Sequence, residues 1–209
     1  MYRTISISLF MLFSAVLAFA QTPDQVTQCK LTANQVSIRG VKLGMTVDEL
    51  YAMFPGAAQE LQNQNSVGHA AGFPNFGWAN MIVSPGRDAA NKDNFKGVQS
   101  YILGLLDGKV VQVDANYESS NSIPRGPWWP NVNDLVSRFS VAYHLPASAN
   151  WSDRDGNRDQ KLLTCNGLDV IITGPSAHAS LIQTPPSWRD EIKKRQLEYE
   201  EKLRSNFKP

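Results

Sequence analysis

Residues 46–54, TVDELYAMF, align without gaps on residues 131–139, NVNDLVSRF, and this repeat decides the predicted fold. In each copy a good N-cap residue, Thr46 or Asn131, precedes an acidic residue three positions later. Val, Leu and Phe then recur at matching positions with helical spacing. Because an apolar hairpin pattern follows each copy, the sequence predicts two related helix-plus-hairpin units.

Both predicted hairpins turn at a Gly-containing dipeptide between apolar runs. Asp107-Gly108 interrupts the run 98–117, and Asn166-Gly167 interrupts the run 160–173. Dipeptides of this kind are typical of two-residue type I′ turns. A further short run at 179–183 predicts an edge strand. The predicted fold class is therefore α+β, with the helices packed on an antiparallel sheet.

The first hairpin is expected to have two apolar faces. A two-residue turn at Asp107-Gly108 pairs Ile102 with Val113 and Gly104 with Val111, which assigns every side chain to a face. The predicted core face carries Val98, Ile102, Val111, Val113, Ala115 and Tyr117. Near the turn, the opposite face carries Leu103, Leu105 and Val110. A solvated face should not hold that much apolar area, so we expect a cover or a partner there.

The chain ends with a strongly charged helix, predicted from its N-cap Ser187 to about Phe207. Four acid-to-base pairs at i,i+4 support this helix. Its narrow apolar stripe consists of Trp188, Ile192, Tyr199, Leu203 and Phe207. The stripe is expected either to cover the open sheet face or to bind another protein. The candidate partner surface therefore comprises Leu103, Leu105, Val110, Trp188, Ile192 and Tyr199.

The first twenty residues have the pattern of a secretory signal peptide. Arg3 precedes the apolar run 5–19, and Ala18-Phe19-Ala20 forms a small-x-small cleavage pattern. The apolar run is shorter than the roughly 20 residues that span a bilayer. We therefore expect a soluble periplasmic or secreted protein without a membrane span. Its predicted parts are a signal peptide at 1–20, the duplicated domain at 21–185 and the C-terminal helix at 186–209.

Charge and cysteine content narrow the functional classes. Twenty basic residues nearly balance 19 acidic ones, so the chain has no strong electrostatic field to attract nucleic acid or an anionic membrane.

The two cysteines, Cys29 and Cys165, suggest one intramolecular disulfide in an exported protein. Two free thiols or an intermolecular link are the alternatives. The cysteines lack the paired spacing of zinc ligands.

The sequence predicts no catalytic residue, no metal site and no cofactor. None of His69, His144 and His178 has a metal-ligand partner at i+2 to i+4, and nucleophile and phosphate-loop motifs are missing. Residues 153–159, DRDGNRD, alternate oxygen-bearing side chains as calcium loops do. Gly156 is misplaced for an EF-hand loop, and no Glu occupies the twelfth position. A solvated turn is therefore favoured over a calcium site.

Residues 44–50, GMTVDEL, followed by Phe54-Pro55, resemble the Gly-Met-Thr-x-x-Glu-Val helix start of the BamE (SmpA/OmlA) outer-membrane assembly modules. The duplicated architecture is similar to the related β-lactamase inhibitor protein fold. This resemblance, carried mainly by Gly44 to Leu50, implies helices on one sheet face and a second face free to bind proteins. We therefore expect an exported, non-catalytic protein-binding or envelope-associated module whose partner is another envelope protein. The alternatives are a small-ligand or calcium-dependent binding protein, or an enzyme.

Overall fold

A computed structural model describes residues 29–117, 131–145, 149–174, 177–184 and 187–207. The predicted signal peptide lies outside the described residues. The helices are α1 (Val47–Met53), α2 (Pro55–Gln59), α3 (Leu61–Gly68), α4 (Pro85–Asp88), a 3₁₀ turn (Lys92–Phe95), α5 (Val132–Ala142) and α6 (Trp188–Asn206). The strands are β1 (Trp78–Val83), β2 (Val98–Leu106), β3 (Lys109–Tyr117), β4 (Ser152–Arg154), β5 (Asn157–Cys165), β6 (Leu168–Thr173) and β7 (His178–Gln183). The predicted α+β class is confirmed.

The predicted repeat takes the form of a helix followed by three antiparallel strands. Helix α1 precedes β1, β2 and β3, with α2 and α3 inserted before β1 and α4 and the 3₁₀ turn inserted before β2, and α5 precedes β4, β5 and β6. The two sets meet at β7, which pairs with β3 on one side and β6 on the other. The sheet order is β1-β2-β3-β7-β6-β5-β4. The expectation of an edge strand at 179–183 is therefore wrong, because β7 is paired with a strand on each side at the centre of the sheet.

The helix starts form as the capping patterns predict. At α1, the Thr46 hydroxyl accepts from the backbone N–H of Glu49, and the Glu49 carboxylate accepts from that of Thr46 at 2.7 Å. The backbone hydrogen bond from Thr46 lowers the pKa of Glu49. At α5 the Asn131 side chain accepts from the N–H of Asp134 at 3.0 Å. These bonds satisfy N–H groups that have no partner within the helix.

A bulge in the β2–β3 hairpin changes the predicted register. Leu105 pairs with Val110 next to the predicted turn, but Gly104 pairs with Gln112, so Val111 is an additional residue in β3. Because side chains alternate between faces, one additional residue moves every later side chain of β3 to the other face.

The bulge gathers the apolar residues of both predicted faces into one core. Leu103, Leu105 and Val110 are fully buried, together with Val113 and Ala115. The expectation that the first three lie on the face opposite the core is wrong, because they share the core face with Val113 and Ala115. Ile102, predicted as core, is instead 42% exposed on the opposite face, because it pairs with Asp114 rather than Val113.

Helices α1 and α5 lie on this core face. The ring of Phe54, at the end of α1, lies 4.8 Å from that of Phe95 and 5.9 Å from that of Tyr101. Tyr101 is fully buried, and its hydroxyl donates to the carbonyl of Ile38 at 3.1 Å. In α5, Leu135 and Phe139 pack against the same core.

Both edges of the sheet are protected. Asn63 of α3 is buried against β1, where its amide donates to the carbonyl of Ile82 and accepts from the N–H of Ile82, both at 2.9 Å. The Ser66 hydroxyl accepts from the N–H of Asn80 at 2.9 Å. The other edge strand, β4, has three residues. Side chains that occupy an edge, and short edge strands, prevent pairing with another chain.

The predicted disulfide is confirmed. Cys29 and Cys165 are bonded, and they join the start of the described chain to the end of β5. The bond closes a loop with a sequence separation of 136 residues.

Candidate binding surfaces

Helix α6 is anchored on the sheet face opposite the core by a pair of tryptophans. The Trp188 ring stacks on that of Trp78 with 3.8 Å between centroids, and its Nε1 donates to Oε1 of Gln112 at 3.0 Å. An ideal Cβ at Gly104 would lie 3.0 Å from Cζ2 of Trp78. The missing side chain at Gly104 therefore gives the indole the space in which it lies.

A bidentate ion pair forms the second anchor. The two terminal guanidinium nitrogens of Arg195 each lie 2.8 Å from a carboxylate oxygen of Asp107 in the β2–β3 turn. Nη1 of Arg195 also donates to the carbonyl of Phe76, and Nε donates to Glu191 at 2.9 Å. The hydrogen bonds from Arg195 lower the pKa of Asp107. This planar two-bond geometry fixes the direction of α6 as it leaves the sheet.

The third anchor is aromatic. The Tyr199 ring stacks on Phe73 with 5.4 Å between centroids and meets the edge of Phe76 at 5.7 Å. Leu203 follows Tyr199 at an interval of four, so it continues the helix face that carries the anchors, and Phe207 is the C-cap residue that ends α6. Leu203 and Phe207 are 54% and 76% exposed, and Phe73 is 71% exposed. The distal α6 surface is defined as Phe73, Tyr199, Leu203 and Phe207.

The structure separates the six residues of the predicted partner surface. Leu103, Leu105 and Val110 are core residues, whereas Trp188, Ile192 and Tyr199 lie on α6 at the opposite face. The sequence suggested that α6 covers Leu103, Leu105 and Val110. Helix α6 instead lies on the other face of the sheet and does not cover them. Its stripe instead meets Trp78, which lies 110 positions earlier and carries no local signal of this contact. Phe73 was also missed, because it lies in a loop without periodicity.

The second candidate surface is a cleft beside α5 on the core face, with a volume of about 420 Å³. Its lining combines aromatic rings, aliphatic side chains and two arginines: Ser37, Ile38, Arg39, Tyr117, Leu135, Arg138, Phe139, Ala142, Tyr143, Ile172, Ala177, His178 and Ala179. This set of residues is called the α5 cleft. The Tyr143 hydroxyl donates to the carbonyl of Ser37 and so ties α5 to the chain before α1.

The aspartate-rich segment 153–159 forms the β4–β5 turn. Asp155 and Gly156 occupy the turn with φ of 51° and 75°. Asp153 forms an ion pair with Lys161. Within the described ranges, no group of three or more His, Cys, Asp or Glu side chains is placed to hold a metal ion.

One titratable pair lies on the outer sheet face. Nε2 of His178 lies 3.6 Å from a carboxylate oxygen of Asp114 on the neighbouring strand. Burial lowers the pKa of His178, and this effect outweighs the opposing attraction of Asp114. Because side chains alternate along a strand, the His178 side chain faces Asp114 on the outer face, although His178 also borders the α5 cleft at the start of β7.

Among the helices of the described ranges, none combines the length and apolar character needed to cross a membrane. No protein-family model, curated protein or solved structure matches this chain. Function is therefore inferred from the geometry of the two surfaces.

Proposed function

We propose that the protein is an exported, non-catalytic module that binds another protein of the cell envelope through the distal α6 surface. The observation that carries this proposal is that exposed apolar side chains, Leu203 and Phe207, follow the Tyr199 ring, which itself stacks on an exposed Phe73. Single exposed apolar residues are ordinary, but a contiguous patch is typical of an interaction site. Aromatic side chains are also enriched at protein interfaces.

Export is supported by two independent features. The first is the signal-peptide pattern at 1–20. The second is the disulfide between Cys29 and Cys165, because disulfides persist in oxidising compartments such as the periplasm or the extracellular space. The likeness of residues 44–50 to the BamE helix start favours the envelope among these locations.

The proposed contact is made by side chains of a helix. Addition of a partner strand at β1 is disfavoured, because Asn63 and Ser66 occupy its free backbone groups. Tyr199 and Leu203 instead provide helical anchors at i and i+4, a spacing with which an amphipathic helix enters an apolar groove, and Phe207 follows as the C-cap residue of α6.

The test is capture of a partner from envelope extract by the mature chain, followed by identification of the bound protein. We expect Leu203→Asp and Phe207→Ser each to abolish capture. Leu197→Asp is the matched control, because Leu197 is 55% exposed on the other side of the same helix. All three positions are exposed, so the free energy of unfolding should change by no more than about 0.5 kcal/mol.

Two results would contradict the proposal: capture that survives in the Leu203→Asp, Phe207→Ser double variant, or capture that is equally lost in Leu197→Asp. The experiment is repeated in EDTA. Capture that needs calcium would support the alternative of calcium-dependent binding through residues 153–159.

A further inference from the structure

We propose that the α5 cleft is a binding site for a small amphipathic anion. The apolar body of the ligand lies against the aromatic floor, and its anionic group is held by Arg39 and Arg138. This site lies on the core face, so it is separate from the distal α6 surface.

The size and floor of the cleft fit a small organic molecule. Ligand sites in proteins typically enclose about 300–1,000 Å³ and are lined mostly by apolar and aromatic side chains with a few polar groups. The α5 cleft encloses about 420 Å³. Phe139 and Tyr143 supply aromatic surface from α5, with 4.4 Å between their ring centroids. Tyr117 and Ile172 supply the sheet side of the floor.

The charge of the cleft selects for an anion. Among the described residues, its lining contains Arg39 and Arg138 and no carboxylate. Neither arginine forms an ion pair with any residue in the described part of the chain, so each charge is available to a ligand. A guanidinium stays protonated at all physiological pH values and donates hydrogen bonds in a planar fork that matches a carboxylate or phosphate.

The position of Arg39 is fixed by the backbone around it. Arg39 lies in a tight turn with φ of 53°, and its Nη2 donates to the carbonyl of Lys96 at 3.2 Å. One bond of this kind leaves other guanidinium donors for a ligand. The charge of Arg39 also acts on Tyr117, because it opposes the rise in the pKa of Tyr117 that burial causes.

The tyrosines of the cleft add no negative charge that would oppose an anion. Burial raises the pKa values of Tyr117 and Tyr143, so both hydroxyls are neutral near pH 7. Asp114 of β3 faces the other side of the sheet together with the His178 side chain. The polar side chains that the described residues contribute to this cleft are therefore cationic or neutral.

The test uses decanoate as the anionic probe and decanol as an uncharged probe of equal chain length, both titrated calorimetrically into the mature protein. We expect saturable binding of decanoate with one site, and binding of decanol at least about tenfold weaker. A charge-assisted hydrogen bond contributes about 1.5–3 kcal/mol, which corresponds to about a tenfold or greater change in affinity.

Variants assign the binding to the cleft. Arg39→Asn keeps a side chain that tolerates positive φ, and Arg138→Gln keeps most of the length of an exposed side chain. Each should weaken decanoate binding about tenfold and leave decanol binding unchanged. Ala142→Trp, on the exposed side of α5, should fill the cleft and abolish binding of both probes. Arg158→Gln is the matched control, because Arg158 lies on β5 outside the lining.

The proposal is overturned by any of three results. One is no saturable binding of decanoate at millimolar concentration. Another is equal affinity for decanoate and decanol, which would remove the role of the arginines. The third is decanoate binding that persists in both Arg39→Asn and Arg138→Gln, or that Arg158→Gln weakens as much as these two variants do. Circular dichroism of each variant confirms that a loss of binding does not reflect unfolding.

Discussion

Replacement of Gly104 by alanine tests whether the tryptophan pair holds α6 on the sheet. A Cβ at Gly104 would overlap Cη2 of Trp78 and would lie 3.0 Å from Cζ2 of the same ring. It would also lie 3.2 Å from Cβ of Gln112. The Trp78 indole must therefore move away from β2. Because Trp188 stacks directly on that indole, the movement separates the pair or lifts the start of α6.

The magnitude follows from the contacts that are lost. An aromatic pair contributes about 0.5–1.5 kcal/mol beyond its buried area. The hydrogen bond from Trp188 to Gln112 contributes about 0.5–1.5 kcal/mol more. Alanine also restricts the unfolded chain, which stabilises the protein by about 0.4–1 kcal/mol. We therefore expect Gly104→Ala to lower the free energy of unfolding by about 1–2 kcal/mol.

The assay is urea unfolding together with hydrogen exchange of the α6 amides. Gly68→Ala is the matched control, because a Cβ there meets nothing within 4 Å and alanine favours the helix by up to about 1 kcal/mol. In a Trp188→Ala background, Gly104→Ala should lower the free energy of unfolding by less, because the stacking of Trp78 and Trp188 is already lost. Wild-type stability and unchanged α6 exchange in Gly104→Ala would show that the tryptophan pair does not hold α6 on the sheet.

The disulfide, the buried histidine and the protected edge each give a further prediction. Reduction of the Cys29–Cys165 bond should lower the free energy of unfolding by about 2–5 kcal/mol, and the denatured, non-reduced chain should show no free thiol by mass spectrometry after labelling. Because burial lowers the pKa of His178, the unfolded state binds its proton more readily, so the melting temperature should fall as pH drops below about 6.5. His178→Gln should remove that part of the pH dependence; an identical slope would contradict the assignment. Asn63→Ala leaves backbone groups of β1 unpaired and should cost about 1–3 kcal/mol, whereas Gln62→Ala on the same helix should change stability by less than about 0.5 kcal/mol.

The elements that the sequence predicts correctly are those that nearby residues determine. The capping box of α1 involves Thr46 and Glu49, three positions apart, and both hairpin turns lie within single dipeptides. The repeat is also visible, because each helix requires the same local pattern of cap and apolar positions. Such features need no knowledge of the rest of the fold.

The faces of the first hairpin could not be predicted, because two adjacent valines make its register ambiguous. Val110 and Val111 both suit a buried position, so the alternation along β3 can be read with either as the inward residue. In the structure Val110 pairs with Leu105, and Val111 is the bulged residue that has no partner in β2. This choice depends on which side chains pack beneath the sheet. The sequence of β3 alone does not contain that information.

The candidate surfaces depend on contacts that are distant in sequence. The periodicity of α6 identifies Trp188 as an apolar anchor, but not Trp78 as its partner. The α5 cleft depends on a gap between α5 and the sheet, where Arg39 and Arg138 approach from segments about 100 positions apart. An amphipathic pattern shows which helix face is buried, but it does not show where packing is incomplete.

The two proposed sites lie on opposite faces of one sheet, which makes their tests independent. Substitutions that share no contact usually have additive effects, so Arg138→Gln should not affect protein capture and Leu203→Asp should not affect decanoate binding. Strand β3 nevertheless contacts the helix that carries one site and lines the other, since Gln112 accepts a hydrogen bond from Trp188 of α6 on one face and Tyr117 lines the α5 cleft on the opposite face. A change in decanoate affinity on capture of the partner would therefore reveal coupling, and thermodynamic linkage requires decanoate to change the affinity for the partner by the same factor. Gln112→Ala would then test whether β3 carries that coupling, because it removes the hydrogen bond to α6 without altering the lining of the cleft.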